Sequence, residues 1–187
     1  MSSPEVKTPA LVLHAFPYEE KKLIAHLYTR AMGRMSFIVS GPKQRRYFHR
    51  GALLTIRFYH KPQWEVQRLL ESEWLVLYQR LHHEVTRVPY LLLALEVLDQ
   101  VLVAPDEKLF DFVAEGLLGV DQAEDTEAAL KVFLHGLLAR LGGEVEASSL
   151  DWSGLEARFA TLVPGWRPLR TLSMLSNLSL PLYDREL

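Results

Sequence analysis

The first seventy or so residues alternate. Leu23, Ala25 and Leu27 fall on one side of a period-two pattern, and Ile24, His26 and Tyr28 on the other. Met35, Phe37 and Val39 alternate with Ser36, Ile38 and Ser40, and Leu54, Ile56 and Phe58 with Thr55, Arg57 and Tyr59. Successive side chains of a strand point to opposite faces, so each stretch predicts a strand with one face in a core. Ala10–Phe16 is a short apolar run and predicts another strand. Trp64–Leu70 predicts a fifth, with blurred alternation. Turn signals separate them: Ala31–Arg34 around Gly33, Gly41-Pro42, and Lys61-Pro62-Gln63.

Near residue 75 the period changes. Leu91, Leu95, Leu98 and Leu102 recur at helical spacing. Pro105-Asp106-Glu107 opens a helix whose stripe is Leu109, Phe110, Val113 and Leu117. Leu130, Phe133, Leu134, Leu137, Leu138 and Leu141 form the next stripe, stopped by Gly142-Gly143. Ser153 and Glu156 match a capping box before Leu155 and Phe159, and Pro164-Gly165 and Pro168 precede a last helix near Leu169–Leu178. Asp121–Glu127 is expected to be an acidic loop. The predicted class is α+β. Five short strands in residues 1–75 form an N-terminal OB-fold barrel, and residues 76–187 form an all-α bundle of four to six helices.

At 187 residues and 49% hydrophobic, the chain is long and apolar enough to bury a core. The longest charge-free stretch of the Leu-rich centre, Val88–Leu95, is too short to span a bilayer, and the N-terminus lacks a signal-peptide pattern. The expectation is a cytoplasmic protein with no membrane contact. With no Cys, disulfides, thiolate nucleophiles and Cys-ligated metal sites are excluded.

Charge changes the picture more than composition does. Residues 1–61 hold eleven Lys or Arg against three acids, a net +8; the remainder holds ten bases and twenty acids, a net −10, giving −2 overall. Such a split predicts different partners for the two halves. The segment Lys43–Arg50 (KQRRYFHR) concentrates cations and aromatics between two predicted strands. Cations displace the counterions of a phosphate backbone, and aromatic faces stack on unpaired bases. Lys43, Arg45, Arg46 and Arg50 are therefore expected to contact phosphates, and Tyr47 and Phe48 to stack. Arg34, Arg57 and Lys61 are expected to extend the track. The ordinary alternative is a solvated hairpin with its aromatics folded back on the barrel.

Catalytic patterns are weak. His82-His83-Glu84 suggests metal chemistry, but adjacent helical side chains diverge by about 100° and cannot share an ion. No H-E-x-x-H, G-x-G-x-x-G or P-loop pattern occurs. No catalytic residue, metal or cofactor is expected, and a hydrolase built on His82 and Glu84 is the remote option. In the acidic half, Lys131 and Arg140 flank the Leu/Phe stripe of 126–141 and could rim a groove for an acidic, Phe-ended peptide.

In order and spacing, several segments resemble the RecO family of bacterial recombination mediators. They are Ala10–His14 (ALVLH), Pro17-Tyr18-Glu19, Lys21–Ile24 (KKLI), Leu27–Arg30 (LYTR), Gly33–Ser36 (GRMS) and Gly41–Arg46 (GPKQRR). Downstream, Arg57–Lys61, Glu71–Glu73, Pro105–Asp111 and Phe133–Gly142 continue the likeness, which covers about residues 8–145. The resemblance implies an OB domain followed by a helical domain and a non-enzymatic activity. That activity comprises binding of single- and double-stranded DNA, strand annealing, engagement of the acidic C-terminal tail of single-stranded-DNA-binding protein, and RecA loading with RecR. It further implies association with the nucleoid during repair. This chain departs by being short and by lacking the four-Cys zinc module of many relatives. It also lacks a Leu-Gln-Pro before the fourth strand, and its tail after about Glu144 matches no family motif. The competing functional expectation is an adaptor whose OB half binds an acidic partner protein.

Overall fold

A computed structural model describes residues 3–143 and 151–178. Five strands come first: β1 (Glu5–Glu19), β2 (Lys22–Thr29), β3 (Gly33–Ser40), β4 (Leu53–Tyr59) and β5 (Val66–Val76). They close a barrel in the order β1-β2-β3-β5-β4. All pairings are antiparallel except β3 with β5, which run parallel through Ser36↔Val66 to Ile38↔Arg68. This is the predicted five-stranded OB barrel. Its interior holds Ala10, Val12, Ala25, Leu27, Phe37, Leu54, Ile56 and Phe58, with the Phe37 and Phe58 rings edge to face.

The departures from alternation have physical causes. β1 reads as an unbroken apolar run because both its faces are covered. Ala10 and Val12 point into the barrel, whereas Leu11 and Leu13 join a second core with the helices. Tyr28 and Leu53 also belong to that outer layer. β5 is blurred because its register with β4 shifts at Leu53/Leu54 and again at Arg57/Phe58, and each bulge inverts which side chains face inward.

Helices follow: α2 (Val88–Val101), α3 (Glu107–Gln122), α4 (Thr126–Arg140), α5 (Trp152–Leu162) and α6 (Arg170–Leu178), after a one-turn α1 (Pro42–Arg45) between β3 and β4. α3 starts as predicted, with the Asp106 side chain accepting the Leu109 N–H. α5 is capped differently. Asp151 accepts from the Gly154 N–H, and Glu156 accepts from the Leu169 N–H instead of returning to Ser153. The supposed acidic loop is mostly helix. Asp121 lies in α3 and is buried, and only residues 123–125 connect to α4. The part of the sequence-read tail at residues 144–150 and 179–187 lies outside the described residues.

Barrel and helices meet through more than apolar contact. The Tyr28 hydroxyl donates to the Ala104 carbonyl at 2.9 Å and its ring stacks on Phe110. Gly33, at φ 72°, turns β2 into β3 hard against the α2–α3 connection; a Cβ there would lie 2.6 Å from the Pro105 nitrogen. Arg30 pairs with Asp111 and Glu107 on α3. Asp99 on α2 receives His14, Arg34 and Arg167. The connector from β5 to α2 is held by Asp121, whose carboxylate accepts from the backbone N–H groups of Gln79, Arg80 and Leu81 at 2.9, 2.9 and 2.7 Å. Among the described residues no helix is long and apolar enough to cross a membrane.

Candidate nucleic-acid interface

The β3–β4 connection is built by its two glycines. Gly41, at φ 86°, ends β3, and Pro42 starts the single turn of α1, where a free loop was expected. Gly51, at φ 82°, turns the chain into β4, and its N–H donates to the Val12 carbonyl at 2.7 Å. Two side chains from the helical side brace it. The Tyr78 hydroxyl donates to the Gly51 carbonyl at 3.0 Å, and His82 Nε2 lies 3.0 Å from the Arg50 carbonyl. Burial holds the His82 pKa below its ordinary value, reinforced by the nearby His49 and His83 and opposed by the contact with the Arg50 backbone.

On this braced loop Lys43, Arg46 and Arg50 are exposed and Arg45 is half-buried. Among the described residues none of these four has a carboxylate within ion-pairing distance. The Arg46 guanidinium lies 4.9 Å from the Tyr47 ring centroid and donates to its hydroxyl. Tyr47 in turn packs edge-on against Trp74 at 5.2 Å.

The other predicted contacts are placed differently. Phe48 is 5% exposed and plugs the barrel core, so it has no free face for a base. Arg34 reaches away from the loop: its Nε donates to the Leu102 carbonyl at 3.0 Å and its Nη2 meets Asp99, so it ties β3 to α2. Arg57 does face outward, but it lies between Glu71 at 2.7 Å and Glu5 at 3.1 Å. Hydrogen bonding to Glu71, then its charge, raises the Arg57 pKa. With Lys7 on Glu73 beside it, this face of the barrel presents balanced charge instead of a basic track. Lys61 sits over the Trp64 ring at 3.9 Å in the β4–β5 loop. That loop and the basic one leave opposite ends of β4, about 20 Å apart at roughly 3.3 Å per residue.

In the helical half, Lys131 pairs with Glu127 at 2.9 Å and lies over Trp152, while Arg140 packs 3.7 Å from the centroid of Phe112. Glu84 accepts from Arg80 and from Arg87, which hold its pKa below the usual carboxylate range, an unsuitable state for a general base. Sequence reasoning missed the bracing by Tyr78 and His82 and the burial of Asp121. No spacing signals contacts made across 27 to 42 residues.

Residues 1–78 match the family model described as Recombination protein O N terminal. A "DNA repair protein RecO" of Dechloromonas aromatica is 32% identical over 142 residues, covering 72% of this chain and 58% of the relative. Its namesake from Polynucleobacter necessarius is 32% identical over 154 residues, covering 76% and 60%. That of Flavobacterium johnsoniae is 24% identical over 156 residues, covering 79% and 66%. The chain thus spans about six-tenths of the length of these curated relatives. The closed OB barrel of residues 1–78 is thus an N-terminal domain of the recombination protein O family, and the likeness to the curated relatives continues along the helices that follow it.

Proposed function

We propose that the chain is a non-enzymatic DNA-binding mediator of recombination and repair. It binds single and double strands, anneals complementary strands and assists RecA loading together with RecR. The observation that supports this most is the β3–β4 loop, where Lys43, Arg45, Arg46 and Arg50 have no carboxylate partner among the described residues while neighbouring cations are neutralised. A cation left unpaired keeps its full attraction for a polyanion. Arg34 and Arg57 are structural in this reading, Tyr47 supplies an aromatic edge, and Lys61 is an outlying contact at the far end of β4. Engagement of the acidic tail of single-stranded-DNA-binding protein falls to α4, with Arg140 its freer cation.

Fluorescence anisotropy with labelled single-stranded and duplex oligonucleotides at several salt concentrations tests the proposal. Four phosphate contacts predict a log–log salt slope of about −3 on a single strand, from roughly −0.7 per phosphate. Reversing Arg45, Arg46 and Arg50 to Glu together should weaken binding at least about tenfold with the fold unchanged by circular dichroism. Unchanged affinity in that variant defeats the assignment of the loop. Absence of length-dependent saturation on single strands in the unaltered protein points instead to an adaptor for an acidic protein.

A further inference from the structure

Beside the basic loop, the chain leaving β5 and the start of α2 enclose a cavity of about 450 Å³, within the range of small-ligand sites. Its lining is mainly apolar and aromatic, including Trp74, Leu77, Leu81 and Leu91, with His49, His82 and His83 among its polar members. Leu77, one of the lining residues, is 64% exposed, so the cavity opens to solvent on that side. The His49 and Trp74 rings are within 7° of parallel, with centroids 6.5 Å apart. Arg50 also lines the cavity, and it belongs to the unpaired cations of the loop.

We infer that this cavity receives an unstacked nucleobase of a single strand whose phosphates lie on Lys43, Arg45, Arg46 and Arg50. The inference rests on the DNA-binding reading and adds to it the place where a base is held. Near-parallel aromatic faces suit a flat π-system, and stacking of this kind tolerates any base. The adjoining cations suit the phosphates on either side of it, which an apolar peptide side chain would not require. The bracing of Gly51 by Tyr78 and of Arg50 by His82 fixes the two walls relative to each other, so little ordering is needed on binding. Trp74 then takes the stacking role that the buried Phe48 cannot.

The test uses the full chain and two single strands of equal length, one of deoxythymidines and one carrying abasic sites at alternate positions, in anisotropy titrations at one salt concentration. A third strand carries 2-aminopurine, whose emission falls on stacking. The unaltered protein should bind the deoxythymidine strand about five- to tenfold more tightly than the abasic one, the lower range of one stacked base. It should also quench 2-aminopurine. Trp74→Ala and His49→Ala should each remove most of that preference and quenching, while affinity for the abasic strand stays. Trp74 also packs on the barrel, so Trp74→Phe, which keeps a ring, should retain the fold and part of the preference. Equal affinity for the two strands in the unaltered protein, with steep salt dependence kept, overturns the base site and leaves the DNA-binding reading standing. A base preference that survives both alanine variants overturns it too. Failure to bind any strand overturns both.

Discussion

Asp121→Asn isolates the contact that holds the β5–α2 connector to α3. The Asp121 side chain is 1% exposed, and its two oxygens accept three backbone N–H groups, from Gln79 on one oxygen and from Arg80 and Leu81 on the other. Asparagine has the same shape but one acceptor oxygen. It can keep the pair from Arg80 and Leu81, but its NH2 group then faces the Gln79 N–H, donor against donor. The loss is one charge-assisted hydrogen bond, weakening of two others, and a buried donor without a partner, together about 2–4 kcal/mol. Urea unfolding at pH 7, followed by far-ultraviolet circular dichroism, should show the midpoint falling by the corresponding amount with m unchanged. The pH dependence carries a second signature. Burial pushes the Asp121 pKa up, but the three N–H groups and Arg87 outweigh it and hold the folded value below the ordinary one. The carboxylate therefore stabilises the fold fully above its unfolded pKa of about 3.9, and that contribution disappears as pH falls through the lower folded value. The gap between native protein and variant should be widest at neutral pH and close in acid. A variant within about 0.5 kcal/mol of the native protein at pH 7, the scatter of ordinary surface substitutions, refutes the reasoning.

Three other substitutions separate structural from binding roles. Arg57→Ala, which removes a guanidinium already held by Glu5 and Glu71, should change oligonucleotide affinity less than twofold in anisotropy; a loss comparable to that of the loop arginines restores it to the track. Phe48→Ala should cost about 3–5 kcal/mol in urea unfolding, as a large core truncation does; near-native stability with lost DNA affinity marks it as a surface stacker instead. Gly51→Ala forces a Cβ onto a φ of 82° and within 2.9 Å of a Leu91 methyl, and should lower stability by about 1–3 kcal/mol; an unchanged thermal midpoint contradicts the strain.

The sequence was most legible where one face of an element meets water. β2, β3 and β4 show period two plainly, and the stripes of α2, α3 and α4 mark the sides that form the second core. Legibility fails where an element is covered on both sides or bulged, as in β1 and β5, because the period then carries no single direction. It fails again for charge. Arg34 and Arg57 look like Arg46 and Arg50 in the chain; only the fold brings Asp99, Glu5 and Glu71 to the first two. Likewise Asp121 stands among acids that turn to solvent, and its distinction comes from three peptide groups about forty residues earlier in the chain. The loop from Lys43 to Arg50 was readable as a cationic cluster, but the inward turn of Phe48 was not, since an aromatic beside arginines serves a plug and a stacking platform equally well.

The outward side chains of Leu11, Leu13, Tyr28 and Leu53 are shared with the helices, so β1 is a wall common to two hydrophobic interiors. A truncated protein ending after β5 would bare that wall and leave Arg34 and Arg30 without their partners on α2 and α3, favouring self-association over a soluble miniature. The intact chain gains a fixed angle between the cationic loop and the helix row. Any protein docking on the helical side would meet a polyanion lying on that loop in one orientation, as tool and handle meet on a single shaft.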